Sequence, residues 1–484
     1  MKTENLTPPA AGTEDVITSI NPADGSVAGV VSRDHAGDVA TAVQRAWTAF
    51  HGQPWRRLRL DQRASVLFEI GRRILAERES LARLQMMDSG KPWKECLNMV
   101  DSAAGSFRYY ASVCETLQGD VTPARGEYFS LAISEPYGVV AAITPWNSPI
   151  MNEAAKVAPA LAAGNAVLLK PSEETPQLAF ELLRICLQAG LPEGMLQVLA
   201  GFGSDVGLEL VSHPGVRMIS FTGGTVTGRR IGAIAGDRLI PAALELGGKS
   251  PHIVCADADL DKAQAGVISG IFGSAGQSCV AGSRLFIERS IYDAFLAGLC
   301  ERTQAIRVGM PDDPDTQMGP LISLRHRERV NGYVELARQE GGRVKVGGYA
   351  PDDATRSKGA FYMPTVIDGL SWQARVCQEE IFGPVLVALP FDNEEELVKM
   401  ANGTAFGLAA GIWTSDYAKA WRIAREVEAG SVWINTYKQS HIATPFGGFK
   451  DSGIGREKGV MGLRLYAQTK SIYWGLHEKP MQLG

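Results

Sequence analysis

Val216-Arg217-Met218-Ile219-Ser220-Phe221 runs directly into Thr222-Gly223-Gly224-Thr225-Val226-Thr227-Gly228. The first six residues suit a buried strand, the glycines a tight turn, and the residues beyond them a helix. Such a turn leaves the first N–H groups of the helix facing past the sheet, where a pyrophosphate could bind. A glycine turn without a ligand is the other reading. Upstream, 138–144 is a short, almost continuous apolar run, as in a strand buried on both faces. It is followed by a helical stretch at 150–163, a strand at 166–169, a helix at 176–189, a strand at 195–199 and a helix at 204–212. This alternation predicts an α/β fold with a doubly wound, mostly parallel sheet, whose ligands bind beyond the carboxyl ends of the strands. Three of those ends are chemically rich: Thr144-Pro145-Trp146-Asn147, Lys170-Pro171-Ser172-Glu173, and 222–228.

Downstream the rhythm repeats. Strands are predicted at 251–255, 284–287, 385–389, 411–413 and 431–435, helices at 260–272, 393–400 and 416–428, and a last strand at 469–476. Residues 63–84, with Leu67, Ile70, Ile74, Leu81 and Leu84 at helical spacing, predict one amphipathic helix. Residues 1–20 read as a polar, loosely held arm, and 120–136 as a strand or hairpin projecting from the body.

The chain of 484 residues has the composition of an ordinary globular protein, with 45% hydrophobic and 21% charged residues. Its net charge of −5, without a long basic run, argues against nucleic acid or anionic membrane as partners. Seven scattered cysteines, no CxxC and no HExxH exclude a disulfide framework or a structural metal site and fit a reduced cytoplasm. No secretory signal and no membrane-spanning run is read from the sequence.

Gly276-Gln277-Ser278-Cys279 puts a thiol in a small, polar turn, and Glu245-Leu246-Gly247-Gly248-Lys249 puts a carboxylate on another. Covalent catalysis needs that pair, a thiolate to attack carbon and a base to activate water. A buried, inert cysteine is the bland alternative. Asn147 offers an uncharged amide suited to an oxyanion, or is simply a turn residue before Pro149. Lys170 and Glu173 could hold ribose hydroxyls, or cap a helix. The stretch from Gly201 through Gly203 to Gly207 is one residue too long for GxGxxG and reads as a turn.

Taken in order, these motifs resemble the aldehyde dehydrogenase superfamily of NAD(P)-dependent enzymes, from about residue 17 to residue 475. To those above are added Glu379-Glu380-Ile381-Phe382-Gly383-Pro384, Pro445-Phe446-Gly447-Gly448 and Gly455-Arg456-Glu457. The resemblance implies a Rossmann-like cofactor domain at 1–118 and 137–248 and an α/β catalytic domain at 249–448. An oligomerisation arm at 119–136 and 468–484 would build a homodimer or homotetramer. It implies a catalytic set of Cys279, Glu245, Asn147 and Lys170. Cys279 forms a thiohemiacetal whose oxyanion Asn147 and the Cys279 N–H hold; hydride leaves for the nicotinamide, and Glu245 activates the water that hydrolyses the thioester. Glu457 continues a proton path. The cofactor would run along Ile143, Thr144 and Trp146, then Lys170, Ser172 and Glu173, then Gly203 and Gly207. Phe221, Thr222, Gly223 and Gly224 would line the pyrophosphate, with Leu246, Gly247, Glu380 and Phe382 at the nicotinamide end. Glu173 should repel a 2′-phosphate, so NAD is expected over NADP.

Gly224, where many members have Ser, and Val226, often a polar residue, depart from the pattern. The aldehyde tunnel would be lined by Ser148, Asn152, Ala155, Ser278, Val280, Tyr437, Lys438, Ser440 and His441. Small residues at 148 and 155 leave a cation–π box incomplete. Lys438 and His441 either attract a carboxylate-bearing semialdehyde or are solvated loop residues. A coenzyme A-acylating relative and a catalytically silent protein on the same fold are the competing readings; the first generally lacks the carboxylate found at Glu245.

Overall fold

The computed structural model describes residues 15–52, 54–117 and 119–476. The expected arm at the extreme N-terminus, up to residue 14, and the last eight residues of the tail lie outside the described residues. The first sheet is built from β1 (Val139–Ile143), β2 (Ala166–Lys170), β3 (Leu196–Val198), β4 (Met218–Thr222) and β5 (Ala242–Glu245). All four pairings among them are parallel, in the order β5-β4-β1-β2-β3. The chain therefore reverses direction across the sheet between β1 and β4, and a crevice opens at their carboxyl ends. Every residue of β1 and β2 is buried, which explains their unbroken apolar character. Leu67, Phe107, Val140, Leu168 and Ile219 belong to one apolar core that joins this sheet to its helices.

A second core gathers Ile253, Phe286, Phe361, Val387 and Ile412. It lies against a seven-stranded sheet of β6 (Pro251–Val254), β7 (Arg284–Glu288), β8 (Arg343–Val346), β9 (Thr365–Asp368), β10 (Val385–Phe391), β11 (Ala409–Trp413) and β12 (Ser431–Ile434). Their order is β8-β9-β10-β7-β6-β11-β12, parallel except for β8 against β9. Arg284, fully buried, donates to the carbonyls of Lys249, Met400 and Ala401 at 2.8, 2.9 and 2.7 Å. That clamp ties the segment leaving β5 to the second sheet. Gly453–Ile454 returns to the first sheet and pairs antiparallel with β5, Gly453 opposite Glu245. The chain then passes through the short helix Gly459–Arg464 into Ala467–Gly475. This nine-residue strand pairs with Tyr128–Pro136, which pairs in turn with Asp120–Thr122, so the projecting hairpin becomes a three-stranded sheet.

Three expectations change. Residues 63–84 form two helices, Leu60–Ala76 and Arg78–Ser89, broken at Glu77 (φ −105°, ψ 20°). The apolar spacing keeps its phase across the break, so periodicity could not reveal it; the Glu77 carboxylate instead binds Arg184. Residues 16–20 are a strand, not a loose arm: Val16–Ile20 pairs with Val27–Ser32, burying Ile17 and Ser19. The 204–212 helix is a π-helical turn, Gly203–Gly207, followed by the short helix Leu208–Ser212.

Candidate active site

Helix Leu260–Phe272 ends just before the thiol loop, and Ser274 (φ 59°), Ala275 (φ 52°) and Gly276 (φ 71°) then turn left-handed in succession. Only glycine takes such angles without strain. Ser274 is held by Glu95, its N–H donating to Oε1 at 3.0 Å and its hydroxyl to Oε2 at 2.6 Å. At Gly276 a Cβ would stand 2.1 Å from the Gly383 carbonyl oxygen, so the loop is pressed against the segment after Phe382. Gln277 is buried; its Oε1 accepts from the Ile322 N–H at 2.8 Å, and its backbone carbonyl accepts from Asn147 Nδ2 at 3.0 Å. The amide of Asn147 thus sits beside the loop of Cys279. An Asn amide has two N–H bonds, so the second can serve another acceptor.

Glu245, the last residue of β5, is 5% exposed, and its Oε2 has no hydrogen-bond partner among the described residues. A Cβ on Gly447 would approach its other oxygen to 2.9 Å, so glycine there leaves room for the carboxyl. Burial, and next the charge of Glu457, push Glu245 well above the usual carboxylate range; Lys156, Arg456 and Lys458 act the other way. Glu457 is paired differently. Its Oε1 accepts from Lys156 Nζ at 2.5 Å, and Lys156 also donates to Ser220 Oγ at 3.1 Å. Cys279 is half-buried by area but enclosed by protein groups. Burial first, then Glu380 and Glu245, push its thiol up to about 12, while Lys438 and Lys458 pull it down. At neutral pH Cys279 therefore rests as the thiol.

The remaining expected residues gather along the carboxyl edge of the first sheet. Ile143 ends β1, Thr144 and Trp146 follow it, and the buried Thr144 hydroxyl has no partner among the described residues. After β2, Lys170 is buried and donates to the Pro171 carbonyl at 2.9 Å and Glu173 at 3.5 Å, leaving the Glu173 side chain 39% exposed. The Ser172 hydroxyl accepts from the Glu174 N–H at 3.3 Å. Gly207 lies against the Lys170 stem, and Gly203 and Gly224 face open space. A Cβ on Gly223 would strike the Phe221 ring at 2.5 Å, just past Thr222. The Leu246 N–H donates to Ser452, and the Gly248 N–H donates to Glu380 Oε1 at 3.0 Å. A Cβ on Gly247 would meet Glu380 Oε2 at 2.4 Å. The result is a glycine-floored groove with Lys170 and Glu173 at one end and Glu380 at the other, which fits a dinucleotide.

Sequence reasoning missed two residues here. His326 donates from Nε2 to the Phe382 carbonyl at 2.7 Å, and burial lowers its pKa to about 4, so the ring is neutral. Trp146 packs edge-on against both Phe382 and His326, at 5.3 and 5.4 Å. Phe382 has φ 61°, a strained angle that this contact set maintains. A lone histidine on a helix gives no sequence signal of such a role. The second is Lys458, one residue beyond the Gly455-Arg456-Glu457 motif; its Nζ donates to Ser440 Oγ at 2.6 Å and lies over the Phe446 ring. Tyr437 donates to the Val280 carbonyl at 3.0 Å, and Lys438 reaches the carbonyls of Gly273 and Ser269 at 3.4 and 3.5 Å. His441 does not join them. It is exposed, its ring accepting from the Ala443 N–H within its own turn.

The carboxyl ends at the switch point of a parallel sheet, set beside a half-buried thiol, mark a dinucleotide-dependent oxidoreductase. The aldehyde dehydrogenase family model matches residues 9–472, and the chain belongs to that family. It is 39% identical over 465 residues to a betaine aldehyde dehydrogenase of Bacillus subtilis (strain 168), covering 96% of this chain and 95% of that one. The crystal structure of a betaine aldehyde dehydrogenase from Staphylococcus aureus in complex with NAD+ superposes with a TM-score of 0.95 at 37% identity, covering 96% of this chain and 93% of that one. An NAD+ complex of an aldehyde dehydrogenase from Bacillus cereus gives 0.93 at 37% identity, with 96% and 94% covered.

Proposed function

We propose that this protein oxidises an aldehyde to its carboxylic acid with NAD, through a covalent adduct on Cys279. The observation that carries the reading is the meeting of three groups: the thiol, the Asn147 amide that donates to the thiol's loop, and the Glu245 carboxyl with its unpartnered oxygen. The Cys279 sulfur bonds to the carbonyl carbon as its proton leaves. The new oxyanion takes N–H bonds from Asn147 Nδ2 and the Cys279 backbone. NAD, when bound, accepts the hydride that turns this adduct into a thioester. Lys170 and Glu173 hold its adenosine ribose, and Glu380 the ribose at the other end. Glu245, once ionised, takes a proton from the water that attacks the thioester carbon, and the thiolate of Cys279 leaves. Lys156 and Glu457 hold charge behind Glu245 and offer its proton a way out. Gly276→Ala should lower kcat/KM at least about a hundredfold, because a thiol shifted by an ångström loses its attack geometry; steady-state NADH formation would show this.

The test is NADH formation by the purified chain with NAD and a panel of aldehydes, without coenzyme A. Turnover to the free acid supports the reading. A requirement for coenzyme A would favour the acylating alternative, and no reduction with any aldehyde the silent one. Glu173 supports NAD over NADP through repulsion of a 2′-phosphate. Glu173→Gln should raise the NADP-to-NAD ratio of kcat/KM by about tenfold; an unchanged ratio would remove Glu173 from cofactor choice.

The domain division at 118, 137 and 249 remains part of this reading. Ala467–Gly475 has one unpaired edge and exposes Tyr473 and Trp474, which supports assembly of identical chains into a dimer or tetramer. All seven cysteines are free, in keeping with the reducing cytoplasm. Among the described residues no helix is long and apolar enough to cross a membrane, and no group of metal-ligating side chains occurs. Two of the relatives are named for betaine aldehyde, a quaternary ammonium compound. Ser148 and Ala155 offer no rings to such a cation here, and two lysines stand near the thiol.

A further inference from the structure

We infer that the aldehyde taken by this site carries an anionic group, a carboxylate a few carbons from the carbonyl, held by Lys458 and Lys438. The inference rests on the reading of Cys279 as the reacting thiol and adds the chemical class of what it receives. Both lysines come from the stretch that follows β12, and both act electrostatically on the Cys279 thiol. Lys458 acts on Glu245 as well. Neither ammonium forms a salt bridge among the described residues. Lys458 has only the Ser440 hydroxyl and the face of Phe446, and Lys438 only two backbone carbonyls at long range. Each ammonium therefore has N–H bonds to spare, which an anionic ligand could take.

The other charges nearby do not neutralise them. Both oxygens of Glu95 are engaged by Ser274, and Lys91 stands 3.9 Å from it. Glu457 is committed to Lys156, and Glu380 accepts from Gly248. Burial draws Lys438 down to about 8, so it still bears charge at pH 7.

Backbone conformation adds a further sign. Ser274, Ala275, Phe382, Lys438 and Lys458 are five of the eight non-glycine residues with positive φ among the described residues, and all border this site. Lys458, at φ 62° and ψ 171°, occupies a region otherwise left to glycine. A lysine kept at such a position, with its ammonium bonded to Ser440, is held there against local preference. Ser148, Ala155 and Gly273 bring little bulk of their own to this site, and Lys438 Nζ stands 3.7 Å from where a Cβ on Gly273 would be.

Two measurements test the inference. The first compares kcat/KM for a four-carbon ω-carboxy aldehyde, its neutral alkyl counterpart and a quaternary ammonium aldehyde, in the wild type and in Lys458→Met, Lys438→Met and Lys458→Arg. The carboxy aldehyde is expected to lead by roughly thirtyfold. Either Met variant should erase most of that lead through KM, and Lys458→Arg should keep it. Equal or better use of the neutral or cationic aldehyde by the wild type would overturn the inference. So would equal losses on the carboxy and neutral aldehydes in both Met variants. The second is the rate of Cys279 alkylation by iodoacetate relative to iodoacetamide, with Cys279→Ala as the blank. The Met variants should lower that ratio several-fold, and an unchanged ratio would overturn the inference. Alkylation needs no turnover. If no aldehyde reduced NAD, the oxidative reading would fail, and this ratio would still decide whether the site takes anions.

Discussion

Cys279→Ala is expected to lower aldehyde-dependent NADH formation by about ten-thousandfold or more while leaving NAD binding in place. The thiol is the strongest nucleophile in the loop, ahead of the Ser274 and Ser278 hydroxyls, and a methyl cannot replace it. Gly203 and Gly224 face open space, and the segment after β5 meets Cys279 at its backbone carbonyl, which alanine keeps. Residual turnover within a factor of ten of the wild type, measured by NADH absorbance, would exclude the covalent route. The acidity of the thiol supplies a companion test. Burial and the neighbouring carboxylates raise it to about 12, so the thiolate is the minor form over the whole working range and grows with pH. Alkylation of free enzyme by iodoacetamide should therefore accelerate by about tenfold per pH unit between 7 and 9. A rate that levels off near pH 8 would show a more acidic thiol than the surroundings predict.

Glu245→Gln should divide the reaction in two. Formation of the thioester needs the thiol, the amide and the cofactor, whereas its hydrolysis needs a base. The variant should release about one equivalent of NADH per site in a fast phase and then stall, with kcat reduced by a hundredfold to ten-thousandfold. Because one Glu245 oxygen has no partner among the described residues, the amide replaces the carboxyl with little change in packing. Rapid mixing and acid quench, with mass analysis of the trapped acyl enzyme, would follow both phases. Loss of the fast phase together with the slow one would place Glu245 in the first half of the reaction instead.

Much of this was legible in the chain because strands buried on both faces leave runs such as 138–144, and because a turn that must admit a ligand needs glycine. Gly223, Gly247 and Gly276 each stand where a side chain would collide with Phe221, Glu380 or Gly383. Asn147 donates to the loop that carries Cys279, and Glu245 acts on its thiol, so these motifs lie close in space. What stayed hidden depends on contacts between distant segments. The break at Glu77 is out of reach of periodicity, and the strand Val16–Ile20 is disguised by the polar Thr18 and Ser19. His326 and Lys458 become part of the site only when helix Leu324–Gln339 and the turn before Gly459 are brought to it. His441, close to Lys438 in sequence, turns its ring back into its own loop.

The last described stretch of chain works as a seam. Between Pro445 and Gly475 it passes Gly447 beside the Glu245 carboxyl, pairs Gly453 with Glu245, and seats Glu457 on Lys156 before running out as the long strand of the projecting sheet. Its hold on β5 is only two residues long, while β1 and β2 are zipped over five. Warming or proteolysis that unpicks this seam would strip the hydrolytic base of its surroundings while the main sheet still stands. Inactivation would then run ahead of melting, and the tail that projects from the molecule would double as the part whose loosening first silences it.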